Sequence, residues 1–256
     1  MTDNRSEFGG RVALITGAGT GIGRTTARRL AAGGAQVVVT DKHEGRMRET
    51  TDELTDAFPQ TAIAGYQLDI EDRAQFDDVF ARVEREVGPI QIYVWNAALN
   101  IPEPVFEQDP ERFDRIMYAN TNNLWYSCAR VVQQMKRAGG GVIVNVGSIA
   151  PDSGAAATEP AYAMSKAAGR ALINGMVKAG GEFNIRANEV VMGMVTGTRF
   201  TDTRPEMQEA LVPQVPLGRL GRTEDIAEAI AFLASDRASH ISGAVLNVSG
   251  GFHVRL

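Results

Sequence analysis

Short apolar runs alternate along the chain with longer stretches whose apolar residues recur at helical spacing. RVALIT (11–16) predicts a buried strand, and GIGRTTARRLAAGG the helix behind it. AQVVVTD (35–41) is a second strand, followed by a charged helical stretch from Glu44 to about Phe58. TAIAGYQLDI holds a third strand; in EDRAQFDDVFARVEREVG, residues Phe76, Val79, Phe80 and Val83 share one helical face. PIQIYVWN is a fourth strand. Asp109 suits an N-cap and Pro110 the first helical position, and the pattern carries that helix to about Ala138. VIVNVGS (142–148), NIRANEVVM and GAVLNVSGG complete the strands. Thr158 and Pro160 open the helix that carries Tyr162 and Lys166, and Thr223 starts a last helix through Ser235.

This alternation predicts an α/β fold: a doubly wound, parallel, seven-stranded sheet with helices on both faces. No linker, repeat or low-complexity tract interrupts it, so residues 1–256 read as one domain. The stretch from about 193 to 218 holds Pro205, Pro213 and Pro216 and reads as an irregular lid.

Composition narrows the possibilities. The chain has 256 residues, 44% of them apolar, enough for a sizeable core. A net charge of -5 gives no electrostatic reason to expect nucleic acid or an anionic membrane as partner. Cys128 is the only cysteine, so no internal disulfide is expected and a reducing compartment, the cytoplasm, is favoured. MTDNRSEFGG lacks the apolar segment of a secretory signal, and no run approaches the roughly 18 apolar residues of a spanning helix. His43, His240 and His253 are scattered and give no metal-ligand spacing, so no metal is expected.

The candidate chemistry begins at TGAGTGIG (16–23), between the first strand and the first helix. Glycines there allow a tight turn and close approach of a ligand, and the helix aims free N–H groups at it, which suits a pyrophosphate. The spacing, Gly17-x-x-x-Gly21-x-Gly23 with Gly19 between, only approximates the general G-x-G-x-x-G fingerprint. Asp41 ends the second strand, where a carboxylate can accept ribose hydroxyls and repel a 2′-phosphate. That favours NAD over NADP, although Lys42 could pair with phosphate. Asp69 ends the third strand, placed either to hold the adenine edge or to cap the helix starting near Glu71.

Tyr162 and Lys166 are four apart, on one face of their helix. A free tyrosine has a pKa of about 10, and a nearby positive charge favours the phenolate. Bringing it into a useful range takes about 3–4 kcal/mol of differential stabilisation. Such a base could take the proton of a secondary alcohol while a cofactor accepts hydride.

Taken in order, TGAGTGIG, Asp69, WNAA (95–98), Asn120, Ser148, YAMSK (162–166) and LNVSGG resemble the short-chain dehydrogenase/reductase family, single-domain branch, over about residues 9–252. The resemblance implies the doubly wound fold and a homodimer or homotetramer. It implies Tyr162 as general acid/base, and Lys166 as holder of the nicotinamide ribose that lowers the tyrosine pKa. Ser148 would bind the substrate oxygen, and Asn120 would place a water in a proton relay to the lysine. Along the cofactor it sets Gly17, Gly19, Thr20, Gly21, Ile22, Gly23, Asp41, Asp69, Ile70, Asn96, Ala97, Gly193, Val195 and Thr196, joined by Tyr162 and Lys166. Thr196 and Thr198 both qualify to meet the carboxamide, with Thr196 preferred.

The chain departs from the family pattern in four places. Trp95 and Ala98 replace an asparagine and a glycine; the added methyl group of Ala98 predicts a slightly tighter cleft. Met192 stands where a proline is usual before Gly193, which predicts a more mobile loop. Glu189 sits inside the sixth strand and needs a partner, with Arg186 and Asn188 near in sequence. Ser148 and Tyr162 are fourteen apart, one more than the pattern.

The substrate pocket is expected between residues after Ala98, the loop Ile149–Glu159 and the lid after Gly193. These segments mix Leu99, Ile101, Met194 and Phe200 with Asn100, Asp152, Arg199 and Arg204, which suits a medium-sized hydroxyl compound with an apolar body. The leading expectation is an NAD-dependent alcohol dehydrogenase or ketone reductase. The alternative, motivated by WNAA and Met192–Gly193, is a catalytically silent NAD(H)-binding sensor or scaffold.

Overall fold

The structure, a computed structural model, describes residues 7–202 and 205–254, with backbone alone for Arg199, Phe200, Pro205 and Met207. Seven strands form one sheet: β1 (Val12–Ile15), β2 (Gln36–Asp41), β3 (Ile63–Gln67), β4 (Ile90–Trp95), β5 (Gly141–Ser148), β6 (Ile185–Met192) and β7 (Val245–Val248). Their order is β3-β2-β1-β4-β5-β6-β7, and every pairing is parallel.

Strands apolar on both sides need cover on both sides. Ala13, Ile15, Val37 and Val39 turn to one face, where α1 (Gly21–Ala32), α2 (Glu44–Ala57) and a helix near the C-terminus bring Leu30, Leu54 and Ile230. Val12, Leu14 and Val38 turn to the other, where α3 (Arg73–Glu86) and two later helices bring Phe76, Phe80, Leu124 and Ile173. Trp95 belongs to this second core: it is buried and stacks on Phe76, with ring centroids 6.0 Å apart. It therefore does not narrow the cleft.

The helix expected from Asp109 to Ala138 is broken in two. The Asp109 carboxylate accepts from the N–H groups of Glu111 and Arg112 and starts α4 (Pro110–Met117). A wide π turn, Tyr118–Asn122, then leads into α5 (Asn123–Arg137). Asn120 lies in that turn, where a poor helix former finds tertiary partners. Asp72, not Asp69, caps α3, accepting from the N–H groups of Ala74 and Gln75. Pro160 does open α6 (Pro160–Gly180), but Thr158 does not cap it: its hydroxyl turns back to the Ala155 carbonyl.

The lid also differs from expectation. It contains α7 (Arg199–Asp202), α8 (Pro205–Leu211) and a 3-10 turn, Val212–Gln214. These pieces are too short to show periodicity, and Pro205 takes the first position of α8, where its missing N–H is harmless. The last helix, α9 (Thr223–Ala234), ends one residue before Ser235. Among the described residues no helix is long and apolar enough to cross a membrane.

Candidate active site

In open parallel sheets, ligands bind beyond the carboxyl ends of strands where the strand order reverses. Here that point lies between β1 and β4. Thr16 joins the two strand ends: its Oγ1 accepts from the N–H groups of Asn96 (2.9 Å) and Ala97 (3.0 Å). Asn96 Nδ2 donates to the carbonyls of Thr16 (2.9 Å) and Gly17 (3.2 Å), so it supports the glycine turn from below. Nothing in the sequence pattern distinguished Thr16.

The turn is built without side chains for steric reasons. Gly17 and Gly21 have φ of 65° and 55°, a region L side chains rarely adopt. A Cβ on Gly23 would collide with the Gly17 carbonyl, and one on Gly19 would come within 2.7 Å of the Asp41 carboxylate. Asp41 is fixed in turn: Oδ2 accepts from Gly19 N (3.2 Å) and Oδ1 from His43 N (2.9 Å).

Beyond the turn lies a cavity of about 600 Å³. Gly17, Thr20, Gly21, Ile22, Asp41, Asp69, Ile70, Asn96, Ala97, Tyr162 and Lys166 line it. Gly19 and Gly23 shape the turn from behind. Asp69 faces this cavity, its Oδ1 accepting from Glu71 N (3.0 Å). Lys42, His43 and Arg46 also stand on its wall beside Asp41. Arg46 was not singled out from sequence; it lies in the first turn of α2, beyond the residues that the strand end marks.

A second cavity of about 300 Å³ adjoins it. Its walls come from Ala98 and Asn100, from the loop Ile149–Glu159, and from the lid through Met194, Val195, Thr198 and Leu211. Gly193 and Val195 line this cavity rather than the larger one. The three expected segments therefore do meet, and Phe252, beyond β7, closes the wall without any sequence signal. Arg204 lies outside the described residues, as do the side chains of Arg199 and Phe200. Thr198 faces both cavities. Thr196 faces neither, because its hydroxyl donates to the Gly221 carbonyl (3.2 Å).

Tyr162 stands on the wall that the two cavities share. Ser148, at the end of β5, lines the second cavity beside Tyr162, and its hydroxyl accepts from Ala150 N (3.1 Å). The extra residue between Ser148 and Tyr162 is absorbed in a loop that includes the 3-10 turn Ala155–Ala157. One helical turn on, Lys166 Nζ lies 5.5 Å from the Tyr162 ring centroid and donates to the Val146 carbonyl (2.8 Å).

Burial pushes the Tyr162 phenol up to about 12; the Ser148 hydroxyl opposes this and the Glu159 carboxylate adds to it. The expected lowering by Lys166 is not found. The ammonium is drawn to the Val146 carbonyl, and burial of the phenol prevails. Burial pushes Lys166 itself down to about 8, against the pull of Glu189. Tyr162 is thus a neutral phenol, poised to donate.

Asn120 is buried, and its amide is fully engaged. Oδ1 accepts from Leu99 N (2.8 Å), while Nδ2 donates to the Leu99 carbonyl (2.8 Å) and to Ser165 Oγ (3.1 Å). Its side chain therefore ties the Ala98–Asn100 wall to α6.

Glu189 does not pair with Arg186 or Asn188. Alternation along β6 turns those two to the opposite face. Arg186 donates to the carbonyls of Leu233 and Ser235 at the end of α9, and Asn188 to that of Ile241. The partners of Glu189 are Arg170 and Asn145.

Comparison with known proteins agrees with this geometry. Residues 17–253 match the family model described as enoyl-(acyl carrier protein) reductase. A 3alpha-hydroxysteroid dehydrogenase of Mediterraneibacter gnavus is 32% identical over 244 residues, covering 94% of this chain and 96% of the relative. A solved 7 alpha-hydroxysteroid dehydrogenase, complexed with NADH and 7-oxo glycochenodeoxycholic acid, superposes with a TM-score of 0.91 at 31% identity, over 98% and 97% of the two chains. A gluconate 5-dehydrogenase of Burkholderia cenocepacia, in complex with NADP and tartrate, gives a TM-score of 0.89 at 30% identity, over 98% of each chain. With its glycine turn, its Ser148–Tyr162–Lys166 cluster and relatives matched nearly end to end, the chain belongs to the short-chain dehydrogenase/reductase family of oxidoreductases, which act on CH–OH and keto groups.

Proposed function

We propose that the protein transfers a hydride between NAD(H) and a medium-sized secondary alcohol or ketone, with Tyr162 as general acid/base. The observation that carries this reading is the position of Tyr162: on the wall between a dinucleotide-sized cavity and an apolar one that Ser148 also lines. A silent binder would need neither the second cavity nor the Tyr162–Ser148 pair beside it.

The glycine turn fits a pyrophosphate, since Cβ atoms would fill the cradle and α1 opens onto it. Bound there, a nicotinamide dinucleotide would accept or deliver the hydride, which no side chain can do. Asp41 would take the adenosine ribose, Asp69 and Ile70 would flank the adenine, and Asn96, Ala97, Lys166 and Thr198 would line the nicotinamide end. Thr198 replaces Thr196 in that role because it faces the cavity. Asp41, anchored by two backbone N–H groups, supports NAD over NADP.

Ser148 and Tyr162 would bracket the substrate oxygen. In reduction the phenol gives its proton to the carbonyl oxygen; in oxidation the phenolate takes it from the hydroxyl. Met192, Met194, Leu211 and Phe252 suit an apolar body. An alicyclic alcohol of the hydroxysteroid kind, as in the relatives' names, meets these demands. The small-molecule substrate, the cytoplasmic setting and a homodimer or homotetramer complete the reading.

The test is a panel of hydroxysteroids and smaller alicyclic alcohols, with NAD+ and with NADP+, followed by absorbance of the reduced cofactor. Turnover of an apolar cyclic alcohol with NAD+ preferred is expected. No turnover across the panel with either cofactor would contradict it.

A further inference from the structure

Behind the catalytic pair lies a charged group with no ordinary place in a sheet covered on both faces. Glu189, in the middle of β6, is wholly buried. The strand register sets it opposite Asn145, next to Gly147 and beneath α6. Its room comes from Gly147. A Cβ there would overlap the Glu189 side chain, and the three nearest atoms all belong to that residue. Gly147 is not among the positive-φ glycines, so the missing side chain supplies space, not backbone freedom.

The carboxylate is held from several sides. Oε2 accepts from Arg170 Nε (3.1 Å), and Oε1 from Asn145 Nδ2 (3.3 Å). Arg170 lies one helical turn beyond Lys166, and its Nη1 pairs with Asp152 Oδ2 (3.2 Å). Asp152 belongs to the loop that walls the substrate cavity. On the β7 side, the Glu189 N–H donates to the carbonyl of Ala244, the residue before that strand (2.9 Å). The charged groups facing Glu189 are therefore Arg170 and Lys166 of α6, with Asp152 behind the arginine.

A buried ammonium with only a carbonyl for company sheds its proton readily. Lys166 Nζ donates to the Val146 carbonyl (2.8 Å), and the next residue, Gly147, is the one whose missing side chain the Glu189 carboxylate fills, so the two charged groups lie over adjacent residues of β5. Burial pushes the Glu189 carboxyl above its ordinary value, and Arg170 offsets that only in part. We propose that Glu189 is a positioning residue for Lys166: its carboxylate, held by Arg170 and Asn145 in the space left by Gly147, keeps the ammonium charged at the Val146 carbonyl. This rests on the reading of Tyr162 and Lys166 as catalytic machinery.

The test is Glu189→Gln in the full chain, with lysine labelled at 13Cε. The Lys166 signal is assigned by its loss in Lys166→Met and titrated by NMR without cofactor. Native Lys166 should titrate at about 8. In Glu189→Gln its midpoint should fall below the native one, and the corresponding limb of the kcat–pH profile should move to lower pH. If Glu189→Gln does not fold, Gly147→Ala/Glu189→Ala serves, because the new Cβ enters the space the carboxylate leaves. A Lys166 midpoint unchanged or higher in the folded variant overturns the proposal, as does a lowered midpoint with an unmoved pH profile. Should no alcohol be turned over, the reading of the enzyme fails, and the lysine titration still decides the role of Glu189 by itself.

Discussion

Lys166 keeps its charge against burial, and that has a thermodynamic signature. Its pKa is about 8 in the folded protein against an ordinary 10.5. Between those values the unfolded chain binds the proton and the folded one does not, so stability rises with pH across that window. Below about 8 both states hold the proton and the full cost of burying the charge is present. We predict that the native protein gains stability relative to Lys166→Met between pH 8 and 10.5, measured by urea unfolding at several pH values. An equal pH response in the two proteins would show that Lys166 is not held down by burial. Tyr162, Lys166 and Ser148 were legible as residues because their types and spacing carry the chemistry. The partners of Glu189 were not, because nearness in sequence suggested Arg186 and Asn188, while strand alternation sends those side chains to the other face. Thr196 and Thr198 share a face of the chain in sequence terms; only the Gly221 carbonyl separates their roles.

At the scale of elements, the turn between α4 and α5 matters most to the site. Removing the Asn120 amide leaves the N–H and carbonyl of Leu99 without their partners. Asn120→Ala should lower stability by about 1–3 kcal/mol in chemical denaturation. It should also raise KM for the alcohol, since Leu99 adjoins the Ala98–Asn100 wall. No change in either quantity would show the clamp to be dispensable. The glycine turn is equally exposed to test. Gly23→Ala places a methyl group against the Gly17 carbonyl, so dinucleotide binding measured by calorimetry should fall at least tenfold. Native affinity in that variant would remove the turn from the cofactor site. The strands and most helices were readable from apolar periodicity. The π turn was not, since one wide turn leaves the apolar spacing of Ile116, Leu124 and Cys128 nearly intact. The lid helices were hidden by their brevity and by Pro205.

At the scale of the whole molecule, the reversal of strand order between β1 and β4 gathers the site. Segments as distant as Gly17, Asp69, Asn96 and Tyr162 reach one cavity because the strands preceding them end on the same edge. Topology of this kind follows from the strand and helix alternation in the sequence, whereas the wall contributed by Phe252 depends on how the C-terminal segment folds back. The same cavity holds opposing signals for cofactor choice, Asp41 against Lys42 and Arg46. NAD should have the higher kcat/KM. Arg46→Ala should depress the residual use of NADP while leaving NAD within about twofold; an unchanged NADP rate would show that Arg46 does not meet a 2′-phosphate. Trp125 on α5 and Met164 on α6 are exposed, which favours a second copy of the chain as their cover, and light scattering should return a mass above that of one chain.

The measurement that bears most directly on the enzyme is Tyr162→Phe, comparing dinucleotide binding with single-turnover hydride transfer. Removing one phenolic oxygen should leave NADH affinity near native and slow transfer by about 10²–10⁴-fold, the usual contribution of a general acid or base. Transfer within a few-fold of the native rate would contradict the role of Tyr162 as the proton carrier.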